Sequence, residues 1–191
     1  ETRTRVDAGT VFYIASSTKS FTGMAASILA ARGELELGAP LSRAIPGLVL
    51  TPPVDADSVT LERALTHDLG FANSGVVYRT AFTGLIERAD LMRVMREATL
   101  PRPRGFRYDN LGYVLAGWAL EAATGEPWQR VVEREVLRPL GMTRTTAYGS
   151  EAAAGPVATP HEIGAAGLEP IAFAKTDASM APAGGMLTTA Q

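Results

Sequence analysis

Ser16 and Lys19 stand three positions apart at the head of a strongly apolar run. Positions i and i+3 of a helix share one face, one turn apart, which brings an ε-amine within reach of a hydroxyl. A hydroxyl is a weak nucleophile until a neighbouring base takes its proton, and an amine does so only where apolar surroundings disfavour its ammonium form. From Ser16 to Ala31 the single formal charge is Lys19. The chemistry on offer is attack by the Ser16 hydroxyl, with the positive end of the helix dipole favouring any oxyanion that develops there.

Composition singles out the lysine. The chain carries sixteen arginines and only two lysines, Lys19 and Lys175. Arginine stays protonated and cannot serve as a base, so a rare lysine in an uncharged helix calls for a reason. The same residues also fit a structural reading, with Ser16 as a helix N-cap and Lys19 snorkelling to water.

Tyr108 and Asn110 form a second pair. In an extended segment residues i and i+2 point the same way, so a phenol and a carboxamide can face one pocket. A tyrosine accepts a proton when a nearby cation lowers its pKa, which a buried lysine would do. The structural alternative makes Asp109 or Asn110 an ordinary N-cap and Tyr108 a core residue.

The elements that would position these groups are mostly helical. Val11–Ile14 reads as a short strand. The Ser16 helix follows and stops at Gly33, with Phe21, Met24, Ala25, Ile28 and Leu29 as the core-facing stripe. Ser16, Lys19, Ser20, Gly23, Ser27 and Ala30 form its opposite, small-residue face. Further helices are predicted at about 60–67, ending by Gly70, at Asp90–Ala98 with Leu91, Val94 and Met95 inward, and from Asn110 to Gly125. Another begins at Pro127 and runs to Pro139. Residues 71–86 read as loop, and 150–185 as a long Ala/Gly/Pro-rich loop in which His161 and Asp177 are solvated. Thr188 or Thr189 reads as an N-cap. Repeats are absent from the 191 residues and strands are few, so one α+β domain is expected, as a helical lobe with little of its sheet.

Composition narrows the function class. Hydrophobic residues make up 46% of the chain and the net charge is −2, with signs interspersed. Neither nucleic acid nor an anionic membrane is expected as a partner. There is no cysteine, and His67 and His161 lack ligand spacing, so neither a metal nor another cofactor is expected. No run reaches the eighteen or so apolar residues of a membrane span. The first residue is Glu, which suggests processing or a piece of a longer protein.

The blocks FYIASSTKSFTGMAASILAARGELELGAPLSRAIPG, LTHDLG, GFRYDNLGYVLAGWALEAATGEPWQRVVEREVLRPLGMTRT and APAGGMLTTA resemble, in order, the β-lactamase-related serine hydrolases. That group contains class C β-lactamases, D-alanyl-D-alanine carboxypeptidases, D-aminopeptidases and esterases, and S-x-x-K is a signature of the wider group. The resemblance implies a β-lactamase/transpeptidase-like α+β fold, here mostly the helical lobe with the antiparallel sheet largely missing. It implies Ser16 as acylated nucleophile, Lys19 as its proton-relay partner, Tyr108 as general acid/base and Asn110 as substrate-binding residue. The substrate would be a small molecule or peptide carrying an amide or ester bond (β-lactam, D-amino peptide or ester), with a general peptidase or esterase favoured over a dedicated β-lactamase. Two departures stand out: His67-Asp68-Leu69-Gly70 replaces the family's H-T-S-G and is expected to be structural, and the third motif, a Lys- or His-x-Gly strand, is expected beyond residue 191. Residues 1–191 are accordingly expected to be a partial domain lacking N-terminal strands and that C-terminal strand. The competing reading is a non-catalytic or truncated relative that binds a ligand or partner. Buried helices without their sheet would expose apolar surface and favour an oligomer. A periplasmic or secreted location is implied by the resemblance alone.

Overall fold

A computed structural model describes residues 5–83, 87–152, 157–165, 167–171 and 175–191. The chain enters through strand β1 (Phe12–Tyr13), makes a 3-10 turn at Ala15–Ser17 and continues as helix α1 (Thr18–Ala31). Short helices α2 (Leu41–Ala44) and α3 (Leu61–Leu65) precede strand β2 (Phe71–Ala72), helix α4 (Ser74–Tyr78) with a π-turn at Arg79–Thr83, helix α5 (Arg88–Ala98) and strand β3 (Leu100–Pro101). Helix α6 (Leu111–Thr124) leads into α7 (Trp128–Val132), which continues as a π-turn over Glu133–Leu137. Strands β4 (His161–Gly164), β5 (Gly167–Pro170) and β6 (Leu187–Thr188) complete the described elements.

Helix α6 is the axis of the lobe. Nine of its fourteen residues are buried, from Leu111 to Leu120. A helix apolar on every side is one that is packed on every side. On one flank Leu111, Val114, Leu115 and Trp118 join Leu41, Leu61, Phe71, Val76, Leu91 and Met95 in a core with α2 to α5. On the other, Leu120 packs with Ala25, Ala26 and Leu29 of α1 and with Trp128, Val131, Val132 and Val136. Gly125, in the left-handed conformation (φ 71°), ends the helix. Gly112 allows the closest crossing: a Cβ there would stand 2.2 Å from the Ala64 carbonyl oxygen of α3.

The described strands pair into three two-stranded antiparallel sheets, β1–β6, β2–β3 and β4–β5. In the first, Phe12 faces Thr188 and Tyr13 faces Leu187, which ties the two ends of the described chain together. In the second, Phe71 faces Pro101 and Ala72 faces Leu100.

Four local expectations are corrected. Residues 71–83 are not loop but a strand, a helix and a π-turn, with Asn73 capping α4 through Val76 N–H at 3.1 Å (84–86 lie outside the described residues). The 150–185 segment contains the β4–β5 hairpin and a 3-10 turn at Asp177–Ser179. Thr188 belongs to β6 and caps no described helix. Met24 is 53% exposed, and the buried face of α1 is Thr18, Lys19, Thr22, Ala25, Ala26 and Leu29. An almost uncharged helix gives periodicity little contrast, so the stripe took in Met24 and left out the buried Thr22, whose hydroxyl donates to the Pro182 carbonyl at 2.8 Å.

The α3–α6 crossing yields a stability test. Gly112→Ala forces backbone against backbone and should cost about 1–3 kcal/mol or more. Gly38→Ala, with nothing within 4 Å of the added Cβ, should lie within about 0.5 kcal/mol of the parent. Urea unfolding midpoints of the two variants check the difference.

Candidate active site

Ser16 occupies the 3-10 turn between β1 and α1. Ala15 before it has a φ of 45°, a left-handed conformation that a residue with a Cβ rarely adopts and that costs on the order of 1 kcal/mol or more. Such strain persists only where neighbours hold it, and here Ser17 N–H donates to the Ile14 carbonyl and Ile14 N–H to Met186, each at 3.0 Å. Ser16 is exposed and has no capping role: Ser17 is the N-cap of α1, without a side-chain cap bond.

One turn along, Lys19 is only 6% exposed. Its Nζ donates to Ser16 Oγ at 3.1 Å, to Asn110 Oδ1 at 2.7 Å and to the Ala183 carbonyl at 2.6 Å. Three acceptors match the three N–H donors of a lysine ammonium. The lysine therefore does not snorkel. It sits where α1, the start of α6 and the segment before β6 converge.

Asp109 and Asn110 divide the work at the head of α6. Asp109 Oδ1 accepts the Leu111 N–H at 2.7 Å and serves the helix end. Asn110 occupies the N-cap position without a side-chain cap bond. Its carboxamide is thereby left to Lys19.

Tyr108 is 58% exposed and so is no core residue. Lys19 Nζ lies 4.8 Å from its ring centroid. Burial pushes the phenol pKa up, but hydrogen bonds with Lys19 and Ser16, together with the lysine charge, outweigh this and hold it below the ordinary tyrosine value. The structure thus brings Ser16, Lys19, Tyr108 and Asn110 to one place.

Sequence reasoning missed four further parts, three main-chain carbonyls and the placement of His67. The carbonyls of Pro182, Ala183 and Gly184 accept, in order, from Thr22, Lys19 and the Tyr13 hydroxyl. Main-chain oxygens leave no side-chain signature, though the Pro-Ala-Gly-Gly composition marks a close backbone approach. A Cβ at Gly184 would touch the Ala15 carbonyl carbon at 3.4 Å. His67, expected to be structural, lies against Tyr108, with ring centroids 4.7 Å apart. His161 is exposed, and Asp177 accepts from Ser150, outside this cluster. Among the described residues no group of three or more His, Asp or Glu side chains could hold a metal ion, and no helix is long and apolar enough to cross a membrane.

A family model described as Beta-lactamase matches residues 1–191. The chain belongs to the Beta-lactamase family. Among curated proteins it is similar to the putative D-alanyl-D-alanine carboxypeptidase of Escherichia coli (strain K12), 27% identical over 146 residues, covering 72% of this chain and 34% of that protein. The chain thus spans about a third of that relative's length. Among solved structures it resembles the D-stereospecific amidohydrolase from Streptomyces sp. (TM-score 0.76, 24% identity, 95% of this chain and 58% of the other). The octameric penicillin-binding protein homologue from Pyrococcus abyssi is equally near in shape (TM-score 0.75, 26% identity, 96% and 43%). The fold is thus β-lactamase/transpeptidase-like: this Beta-lactamase family chain carries the helical lobe, and among the described residues its strands form only two-stranded pairs.

The Lys19–Tyr108 contact predicts a titration. Tyr108, identified by difference against Tyr108→Phe, should ionise at lower pH than an ordinary tyrosine. In Lys19→Met the lysine's hydrogen bond and charge vanish while burial and the Ser16 hydrogen bond remain, so its ionisation should move to higher pH. Ultraviolet difference titration of the three proteins reads both.

Proposed function

We propose that the protein is a serine hydrolase acting through an acyl-enzyme on amide or ester bonds. The observation that carries this reading is the shared Lys19 amine, which contacts Ser16 Oγ at 3.1 Å and Asn110 Oδ1 at 2.7 Å beneath the Tyr108 ring. Its three acceptors suit a cation, and a cation beside a phenol favours phenolate. Tyr108 is then the base that takes the Ser16 proton as Oγ attacks the carbonyl carbon, and Lys19 stabilises the anionic phenolate before transfer. The protonated Tyr108 next delivers that proton to the departing nitrogen or oxygen, which leaves an ester on Ser16. In the second half Tyr108 takes a proton from water, the hydroxide attacks the ester, and Ser16 recovers its proton.

Asn110 in this account has two duties: it fixes Lys19 through Oδ1, and its NH₂ donates to the substrate amide carbonyl. The Ser16 N–H supplies one oxyanion donor, held in direction by the strained Ala15. The second donor and the edge contacts to substrate belong to a Lys- or His-x-Gly strand of the whole protein, of which residues 1–191 are a partial domain. The named relatives, a carboxypeptidase and a D-stereospecific amidohydrolase, support an amide or peptide with a D-configured residue as substrate class. Exposed Phe12 and Met24 at the β1–α1 edge favour burial against further protein, either more of the same domain or a second copy.

A fluorophosphonate probe should add mass at Ser16 in the full-length protein. Ser16→Ala should abolish the adduct, and Lys19→Met and Tyr108→Phe should each slow acylation by about 10²–10⁴-fold. An adduct that survives Ser16→Ala would contradict this assignment of the nucleophile, and no adduct at all would favour the non-catalytic binding reading.

A further inference from the structure

Residues 102–109 form a strap that carries Tyr108 to the site. This strap is stitched to the α3–β2 turn at four points. Arg102 N–H donates to the Gly70 carbonyl at 2.8 Å, Gly105 N–H to Asp68 Oδ1 at 2.7 Å and Arg107 N–H to the His67 carbonyl at 2.8 Å. The fourth is a ring nitrogen: Asp109 N–H donates to His67 Nδ1 at 3.2 Å. His67 therefore holds the backbone on both sides of Tyr108, and its ring lies against the Tyr108 ring at an interplanar angle of 32°. Phe106 covers the histidine edge-on at 5.7 Å, and Tyr113 of α6 packs against it at 5.3 Å.

Two features show that this placement is built. His67 has a φ of 61°, a left-handed backbone that a non-glycine residue rarely adopts and that turns its ring and its carbonyl toward the strap. An Nδ1 that accepts a hydrogen bond must be unprotonated, so the neutral ring carries its proton on Nε2.

We propose that neutral His67 is a positioning residue for the hydrolase chemistry: it holds Tyr108 at Ser16 and Lys19, and protonation of its Nδ1 releases Tyr108 at acid pH. This rests on the acyl-enzyme reading for its catalytic consequence, but the coupling itself is a property of the fold. A proton on Nδ1 opposes the Asp109 N–H directly, and it adds a second positive charge near the Lys19 amine. The groups facing His67 are Lys19 from α1, Tyr113 from α6, and Tyr108 and Asp109 from the strap. Asp68, its chain neighbour, is engaged by Arg63. Burial and then the Lys19 charge keep the imidazole below its usual pKa, against a smaller opposing pull from Asp109. The sign follows: the neutral anchor is fully present above the ordinary histidine range and is lost as pH falls through the lower, folded value.

His67→Asn separates anchoring from titration. An asparagine Oδ1 can stand where Nδ1 accepts, and asparagine tolerates the left-handed backbone, but it carries no proton-binding site in this range. His67→Ala removes acceptor and ring together. The test is an NMR titration of isotope-labelled chain, with His161→Gln to assign the two imidazoles, run beside the pH profile of Ser16 acylation in the full-length protein. In the parent, Nδ1 should be the unprotonated nitrogen, and Tyr108 ring signals should shift along the His67 titration curve. In His67→Asn the Tyr108 signals should not move over that range, and the acid limb of the acylation profile should flatten, at a rate below that of the parent. In His67→Ala acylation should fall by up to about a hundredfold at every pH, as expected for a catalytic group displaced by roughly 1 Å. Tyr108 signals that ignore the His67 titration, or that follow the same curve in His67→Asn, would overturn the proposal. A chain in which the coupling is seen but Ser16 never acylates would instead overturn the hydrolase reading, so the two failures are distinct.

Discussion

A single buried amine is the junction on which the site depends. Lys19 Nζ donates to the Ser16 side chain in the turn that leads into its own helix, to the carboxamide at the head of α6 and to a backbone carbonyl before β6. A buried ammonium short of partners is costly, because each missing hydrogen bond leaves a desolvated donor. The three segments must therefore come together for the lysine to be buried at all. The same requirement that stabilises the junction places Ser16, Asn110 and Tyr108 around one point.

The surrounding architecture keeps that point rigid. Helix α6 is packed on both flanks, so Asn110 at its start is fixed relative to α1 and α3. Consecutive carbonyls of Pro182, Ala183 and Gly184 bind Thr22, Lys19 and Tyr13, which locks the β6 approach against the strand–turn–helix unit that carries Ser16. Strain at Ala15 is held by this frame. Tyr108 is the exception, since it lies on an exposed strap rather than on a helix. Its position is set by hydrogen bonds to the α3–β2 turn and by the ring of His67.

Helices and the Ser16–Lys19 pair were legible because both are local. Ser16 and Lys19 meet through the spacing of a single turn, and the long apolar runs around Leu29 and Leu115 announce themselves by length. Asn110 was legible as half of a pair, and its part in positioning Lys19 followed from the family resemblance alone: the bond spans 91 residues and leaves no mark in either segment. The Ala183 carbonyl and the role of His67 were invisible for the same reason, since a main-chain oxygen has no residue type and a ring's stacking partner is decided by a distant turn. Met24 was misplaced because α1 lacks charged residues to mark its solvent side. The short elements between 71 and 83 were missed because two to five residues do not establish a period.

The central claim is that the Lys19–Asn110 bond is a mutually dependent part of one junction, and a double-mutant cycle on unfolding free energy tests it most directly. Lys19→Met and Asn110→Ala should each destabilise the chain, and Asn110→Ala should cost much less once Lys19 is gone, because no buried ammonium is then left wanting an acceptor. The account predicts a coupling of about 1–3 kcal/mol between the two changes. Additivity of the two within about 0.5 kcal/mol would contradict it.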